Sequence, residues 1–307
     1  MTRSKIVNRG LIISWMAVIP FFLSCRSMQY LQDYPGLAIS KEHLMAKLPF
    51  SLSETSGLEY QYGRLWSFND SGGEAELFSF RPSDPAGTII SYPVTGAENV
   101  DWEDITFNNG YFYISDAGNN TGSRDTLDIY KVSVDTSASA AGVMSVISFS
   151  YPGKTSGFSN CRKNPFDSEG LAVIDDSLWL FTKNWQDESS CIYTYPTEGG
   201  YYLRKPGICL QTGMLVTGAD FDPATGMLWL IGYHHFIPVI RVYAISANAR
   251  PRPVAIIRLG NRIGLQTEAI VCASDGYVYF SYEKSKRRQG LFRMNNPFWT
   301  DALPNPF

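Results

Sequence analysis

Apolar runs of four to eight residues, each closed by Gly, Pro, Asn, Asp or Ser, follow one another from Leu58 to Met294, and aromatic and β-branched side chains dominate them. Runs of that length and make-up predict strands rather than helices. They are regularly spaced. A polar, a small and an apolar residue recur as Ser56-Gly57-Leu58, Glu103-Asp104-Ile105, Glu169-Gly170-Leu171, Thr217-Gly218-Ala219 and Glu268-Ala269-Ile270. On a second apolar run an aromatic then follows at Trp66, Tyr113, Trp179, Trp229 and Tyr279, at offsets of 10, 10, 10, 12 and 11 residues. Successive repeats begin 47, 66, 48 and 51 residues apart. Periods of roughly 40–50 residues with several short strands per unit predict an all-β chain folded as a five-bladed β-propeller of four-stranded antiparallel blades.

Within each unit the first strand starts at the repeat motif and the second carries the aromatic, so the recurring Trp and Tyr side chains are expected in the core. Third strands are expected at 76–80, 127–132, 191–195, 240–245 and 291–294, and fourth strands at 88–92, 143–151, 201–208 and 254–259. The last repeat has no fourth strand of its own, while the apolar segment 37–48 has no partner. Placing that segment on the last blade closes a ring and removes the open edge that a linear array would leave. The long step of 66 residues is taken up by a connector over 152–167.

The N-terminus changes the picture of location. Arg3, Lys5 and Arg9 precede a 13-residue apolar run, 11–23, which is short of the roughly 20 residues of a spanning helix and ends in Leu23-Ser24-Cys25. That ending resembles the lipobox of bacterial lipoproteins, and implies a signal peptide over 1–24, lipidation at Cys25, a tether over 25–34 and a propeller over 35–307. The alternative is an ordinary secretory signal with an incidental cysteine. The expected address is the bacterial cell envelope, anchored by lipid, with the outer membrane favoured.

Without residues 1–24 the chain holds 23 basic and 29 acidic side chains, a formal charge of −6. Phosphate-backbone affinity rests on Lys and Arg, and the dense basic run is confined to Lys284-Ser285-Lys286-Arg287-Arg288, so nucleic acid is not an expected partner. A monomer is expected. Cys161, Cys191, Cys209 and Cys272 remain after Cys25. Three pairings are open to them, of which Cys161 with Cys191 is preferred, leaving Cys272 as a buried thiol in an apolar strand. The histidines, His43, His234 and His235, are too few and too badly spaced for a zinc site.

In an antiparallel blade the start of the first strand and the end of the second share one end of the sheet. Ser56, Glu103, Glu169, Thr217 and Glu268 are therefore expected around one mouth, with Asn69, Asp70, Asp116, Asn119, Lys183, His234, Glu283 and Lys284 on the loops beside them. Three carboxylates converging in a narrow channel either bind a cation or have their pKa values raised. An all-oxygen donor set favours Ca2+; a hydrated polar channel with shared protons is the other reading. Asp70 and Asp116 are candidates for positioning a water beside the ion, although Asp-Ser-Gly-Gly and Asp-Ala-Gly-Asn-Asn strings are also ordinary turns. Asn69, Asn119, Lys183, His234, Glu283 and Lys284 are candidates for holding a small anionic or glycan ligand at the mouth. No Gly-x-Ser-x-Gly elbow, phosphate-binding Gly-rich loop or His-Glu-x-x-His motif occurs.

The order Ser, Glu, Glu, Thr, Glu at the repeat starts, with Ser53-Glu54-Thr55-Ser56-Gly57-Leu58 followed by Gly63-Arg64-Leu65-Trp66-Ser67-Phe68-Asn69-Asp70, resembles the calcium-activated nucleotidases (apyrases) over roughly 50–290, and more broadly the phytase-like bacterial propellers. The resemblance implies a five-bladed propeller with one axial calcium, held by Ser56, Glu103, Glu169, Thr217 and Glu268. The nucleotide-handling motifs depart from that family. Asn69-Asp70-Ser71-Gly72-Gly73 stands where the family has Asp-Asp-Arg-Thr-Gly, and Asp116-Ala117-Gly118-Asn119-Asn120 where it has Gly-Lys-Glu-Trp, so the planar donor fork that would grip phosphate is missing. Two functions follow as expectations: an envelope propeller with a calcium site and an unassigned ligand, and, alternatively, a calcium-dependent phosphohydrolase, apyrase-like or phytase-like, working at the same mouth.

Overall fold

The computed structural model describes residues 32–34, 44–154, 157–158, 160, 163–246, 250–260, 266–283 and 289–299. The signal segment, Cys25, Cys161 and the basic run from Lys284 lie outside the described residues.

Nearly all of the regular secondary structure described is strand. After a short edge strand β1 (Gln32–Tyr34) and β2 (Leu44–Lys47), the chain makes β3 (Thr55–Gln61), β4 (Arg64–Asn69), β5 (Glu76–Phe80) and β6 (Ile90–Thr95), paired antiparallel in that order. The second run is β7 (Trp102–Asn108), β8 (Tyr111–Asp116), β9 (Leu127–Asp135) and β10 (Ala140–Ser150). The third holds β11 (Ser168–Ile174), β12 (Ser177–Thr182) and β13 (Ser190–Pro196), followed by β14 (Gly200–Leu203) and β15 (Ile208–Leu210). The fourth is β16 (Leu215–Asp222), β17 (Met227–His234), β18 (Ile237–Ala244) and β19 (Arg252–Arg258), and the fifth β20 (Gln266–Cys272), β21 (Tyr277–Glu283) and β22 (Gly290–Asn295).

Turn chemistry explains the repeat spacing. β3–β4, β7–β8 and β11–β12 are joined by two-residue turns, Tyr62-Gly63, Asn109-Gly110 and Asp175-Asp176, with positive φ at both positions, the hairpin geometry that matches strand twist. The fourth and fifth hairpins have longer loops, closed by Gly226 and Gly276. These longer loops stretch the motif-to-aromatic offset from 10 to 12 and 11.

The first strands of the runs neighbour one another in the order β3, β7, β11, β16, β20 and back to β3. Five apolar clusters of the described residues lie between successive runs: Trp66 with Phe112, Tyr113 with Leu180, Phe181 with Leu228, Trp229 with Phe280, and Tyr279 with Leu65. Four of the five repeat aromatics, Trp66, Tyr113, Trp229 and Tyr279, are fully buried, and Trp179 is half-buried. Burying a side chain of this size stabilises by roughly 1.5–3 kcal/mol, so the repeated aromatic is core rather than a ligand platform.

Four expectations are revised. The third fourth-strand was expected over 201–208. Instead β14 pairs parallel with β10 of the preceding run, and the outer place in its own run goes to the three-residue β15. Pro206 and Gly207 stand between them, and a proline lacks the N–H that a continuing ladder needs. The disulfide is Cys191–Cys209, not Cys161–Cys191: it bridges directly opposed residues of β13 and β15. The first fourth-strand starts two residues later than expected, at Ile90, because Asp84 caps a short helix, Pro85–Thr88. Finally, Gln32–Tyr34 lies in the expected tether yet pairs parallel with β19. Cys272 is free and half-buried in β20. The segment 37–48 behaves as expected where it is described: β2 pairs antiparallel with β22 and supplies the fourth strand of the last run.

Candidate functional site

Each repeat motif falls where strand pairing slips. The register shifts between Ser56 and Glu59, Trp102 and Asp104, Ser168 and Gly170, Val216 and Gly218, and Thr267 and Ile270. A slip of this kind leaves a residue unpaired and re-aims its side chain, and it falls on Glu103, Glu169, Thr217 and Glu268. The small residue that follows marks where inner strands touch. A Cβ on Gly218 would lie 2.8 Å from the Glu268 carbonyl oxygen, and one on Gly170 would lie 3.1 Å from the Ala219 Cβ. At the same motif position Asp104 is fully buried; its Oδ2 accepts from the backbone N–H of Leu171 at 2.8 Å and of Ala219 at 3.0 Å, tying three inner strands together.

At the mouth, carboxylate oxygens of Asp70, Asp101 and Glu103 lie within 4.8 Å of one another. Burial pushes Glu103 well above the usual carboxylate range, and Glu169, Asp70, Asp101 and Asp167 push it further. Asp101 is raised to about 7 by burial and by Asp70 and Asp167, against the opposing pull of Arg124. Asp70 is raised by burial too, and the Ser71 N–H and Lys183 pull it back. Asp167 is fully buried: Oδ1 accepts from the Asn119 N–H at 2.9 Å, while Oδ2 has no hydrogen-bond partner. Glu169 holds the Lys183 ammonium at 2.7 and 2.6 Å through its two oxygens, in a pair closed off from solvent. Burial raises Glu169 despite that partner, and Asp167 and Glu268 add to the shift. Gly118 covers the group: any Cβ there would run into Glu103 Oε1 and Asp101.

Three residues further along the inner strands a second acidic layer appears. Glu59 is raised to about 8 by burial and then by Asp220, which is itself raised to about 7 by burial while its Oδ2 accepts from the Cys272 N–H at 2.7 Å.

The other expected site residues fall into distinct roles. The hydroxyls of Ser56 and Thr217 stitch inner strands, donating to the Glu103 carbonyl at 2.7 Å and the Thr267 carbonyl at 2.5 Å. Asp116 faces Arg124 at 2.8 Å and the Asp101 N–H at 3.0 Å rather than joining the Asp70 group. Asn69 bonds Ser51 and Glu54, and Asn119 bonds both backbone groups of Arg124, so each amide shapes a loop. Lys183 is buried in the acidic group instead of standing free on a loop. His234 is outside the acidic group, 2.6 Å from Glu188. Glu283 ends β21, and Lys284 lies outside the described residues.

Asp101 and Asp167 belong to the site but are not on the expected list. A signal for them exists. Glu54, Asp101 and Asp167 each stand two residues before a repeat start, immediately ahead of the inner strand.

No family model matches the chain, and no curated protein matches it. Solved structures do. A glucose dehydrogenase is similar with a TM-score of 0.50 at 14% identity, over 82% of this chain and 98% of that one. The fold is β-propeller-like. Weaker likenesses include the PQQ-bound aldose sugar dehydrogenase of Streptomyces coelicolor (TM-score 0.46, 11% identity, 82% and 97% coverage). A putative 6-phosphogluconolactonase of Bacteroides uniformis follows (TM-score 0.42, 12% identity, 83% and 71% coverage). At these identities the likeness concerns the path of the chain and not its chemistry.

Proposed function

We propose that this protein is a five-bladed propeller, each antiparallel run counting as one blade and β2 completing the last, that binds one Ca2+ at its acidic mouth and presents the ion to a small ligand. The observation that carries the reading is the convergence of Asp70, Asp101 and Glu103. Asp167, with a buried oxygen lacking a partner, and the Glu169 and Glu268 of neighbouring blades surround that group. Lys183, with Arg124 at the rim, answers only part of this negative charge. The donors are all oxygen, as a hard cation requires. Asp70, Asp101 and Glu103 would hold the ion, with Glu169 and Glu268 shared between it and Lys183; the hydroxyls of Ser56 and Thr217, already donating to carbonyls, would complete the shell through their lone pairs. The bound ion would supply charge neutralisation and a place for an anionic or glycan oxygen.

The phosphohydrolase reading narrows on the same geometry. Arg124 is occupied by Asp116 and the Gly118 carbonyl, so Asp70 is left as the residue to position a water. The chain would be anchored to the envelope through lipid on Cys25. Fatty-acid labelling that survives Cys25→Ala would remove the anchor from this account.

Calorimetric titration of chelator-stripped protein should show one calcium bound, at least tenfold weaker in Glu103→Gln and Asp101→Asn. No binding heat, or equal affinity in all three proteins, contradicts the site. Turnover of nucleoside di- and triphosphates that appears with calcium and disappears with chelator would select the hydrolase; its absence from a calcium-loaded protein leaves the ligand-binding reading.

A further inference from the structure

The rim between β12–β13 and β17–β18 carries a second constellation, made of different chemistry. The hairpin β17–β18 turns through two residues only, His235 and Phe236, both at positive φ (49° and 59°). Such turns favour Asn-Gly, because a bulky side chain in the left-handed region is strained. Across from it Glu188 also has a positive φ, 54°. Three unfavoured conformations at one spot put Glu188 and the two histidines side by side: His234 Nδ1 lies 2.6 Å from Glu188 Oε2, the imidazoles stack with centroids 4.1 Å apart, and one ligand atom from each of the three lies within 4.8 Å of the others. All three reach solvent.

From these observations the geometry points to a transition-metal site, Glu188–His234–His235, selective for a borderline divalent ion of the zinc class and built from other residues than the acidic group, whose Lys183 lies over the Trp185 and Tyr233 rings of the adjoining cavity. Two nitrogens and one carboxylate oxygen are the donor set of open zinc sites, in which three protein ligands hold the ion and a fourth position is left for water or a ligand. The short hydrogen bond between His234 and Glu188 is then the metal-free arrangement. Bonds of about 2.0–2.2 Å to a common ion separate two tetrahedral ligand atoms by roughly 3.3 Å, so binding would displace the shared proton and open the pair by less than an ångström.

The open position would face a cavity of about 300 Å³ lined by Trp185, Leu215, Tyr233 and Phe236 beside Glu188 and His235. The buried Trp185 indole N–H has no hydrogen-bond partner, and it offers a donor to whatever the ion would hold. Calcium would not compete well here, because imidazole nitrogen is a poor donor to a hard ion. The sequence alone hides this arrangement, since its carboxylate comes from a different run, 46 residues before His234.

The test uses untagged protein and Zn2+ alone, titrated with and without saturating calcium. One equivalent of zinc should bind in both conditions. Affinity should fall at least tenfold in His235→Asn and in Glu188→Gln, and binding should be lost in the His234→Asn/His235→Asn double variant. Asparagine suits the left-handed turn, so these variants keep the hairpin. Co2+ substituted at the site should show visible d–d absorption without the near-ultraviolet charge-transfer band of thiolate ligation. Absence of zinc binding, binding unchanged in the double variant, or a thiolate band would each overturn the assignment.

Discussion

Glu59 shows at the scale of one residue how burial sets behaviour. Its carboxyl is held near 8 in the folded chain against an ordinary 4.5, by burial first and by Asp220 second. The folded protein therefore binds this proton more tightly than the unfolded chain does. The associated stability is complete below pH 4.5, declines as pH rises toward 8, and changes little beyond. At fixed calcium, Glu59→Gln should flatten the fall in Tm between pH 5 and 8, and an unchanged slope would assign that fall elsewhere. Gly118 is the matching case at the mouth. Gly118→Ala should weaken calcium binding by an order of magnitude or more, because its methyl would push into Glu103 and Asp101, while the melting curve of the calcium-free protein moves little. Gly218→Ala should instead cost stability, about 1–3 kcal/mol in chemical denaturation, because the obstacle is the Glu268 carbonyl, which belongs to backbone.

Elements differ in how plainly the chain announces them. Inner and second strands could be read in advance because a register slip, a close approach between inner strands and a buried aromatic each demand a residue type, and those demands recur from run to run. Outer strands carry no such demand. In the third run the outer strand is three residues long and follows Pro206 and Gly207, so pattern alone favoured the longer aromatic segment at Tyr201, which pairs with the preceding run. The Cys191–Cys209 bridge compensates for the short ladder. With a sequence separation of 18, chain entropy places its contribution at about 3 kcal/mol. Cys209→Ser should shift the denaturation midpoint accordingly, and an equal midpoint would mean that pairing alone holds β15. The site was half legible for the same reason. Glu103, Glu169 and Glu268 follow from the repeat, whereas the roles of Asp116, Asn119 and Lys183 depend on side-chain partners, Arg124 and Glu169 among them, that spacing does not reveal.

For the molecule as a whole, closure and charge are coupled. β2 covers the edge of β22, and the apolar cluster containing Leu52, Leu58 and Val271 joins the last run to the first. Deleting residues 1–48 should expose the β22 edge and give aggregates in size-exclusion chromatography; a monodisperse, equally stable product would show that the N-terminal strand is dispensable. A closed ring in turn holds carboxylates of successive runs together, and its negative mouth favours cation uptake.

The most direct measurement is anomalous scattering from crystals soaked in calcium. The account predicts one peak at the mouth, within bonding distance of Asp70, Asp101 and Glu103. An empty mouth at millimolar calcium, or Lys183 alone neutralising the group there, would contradict it.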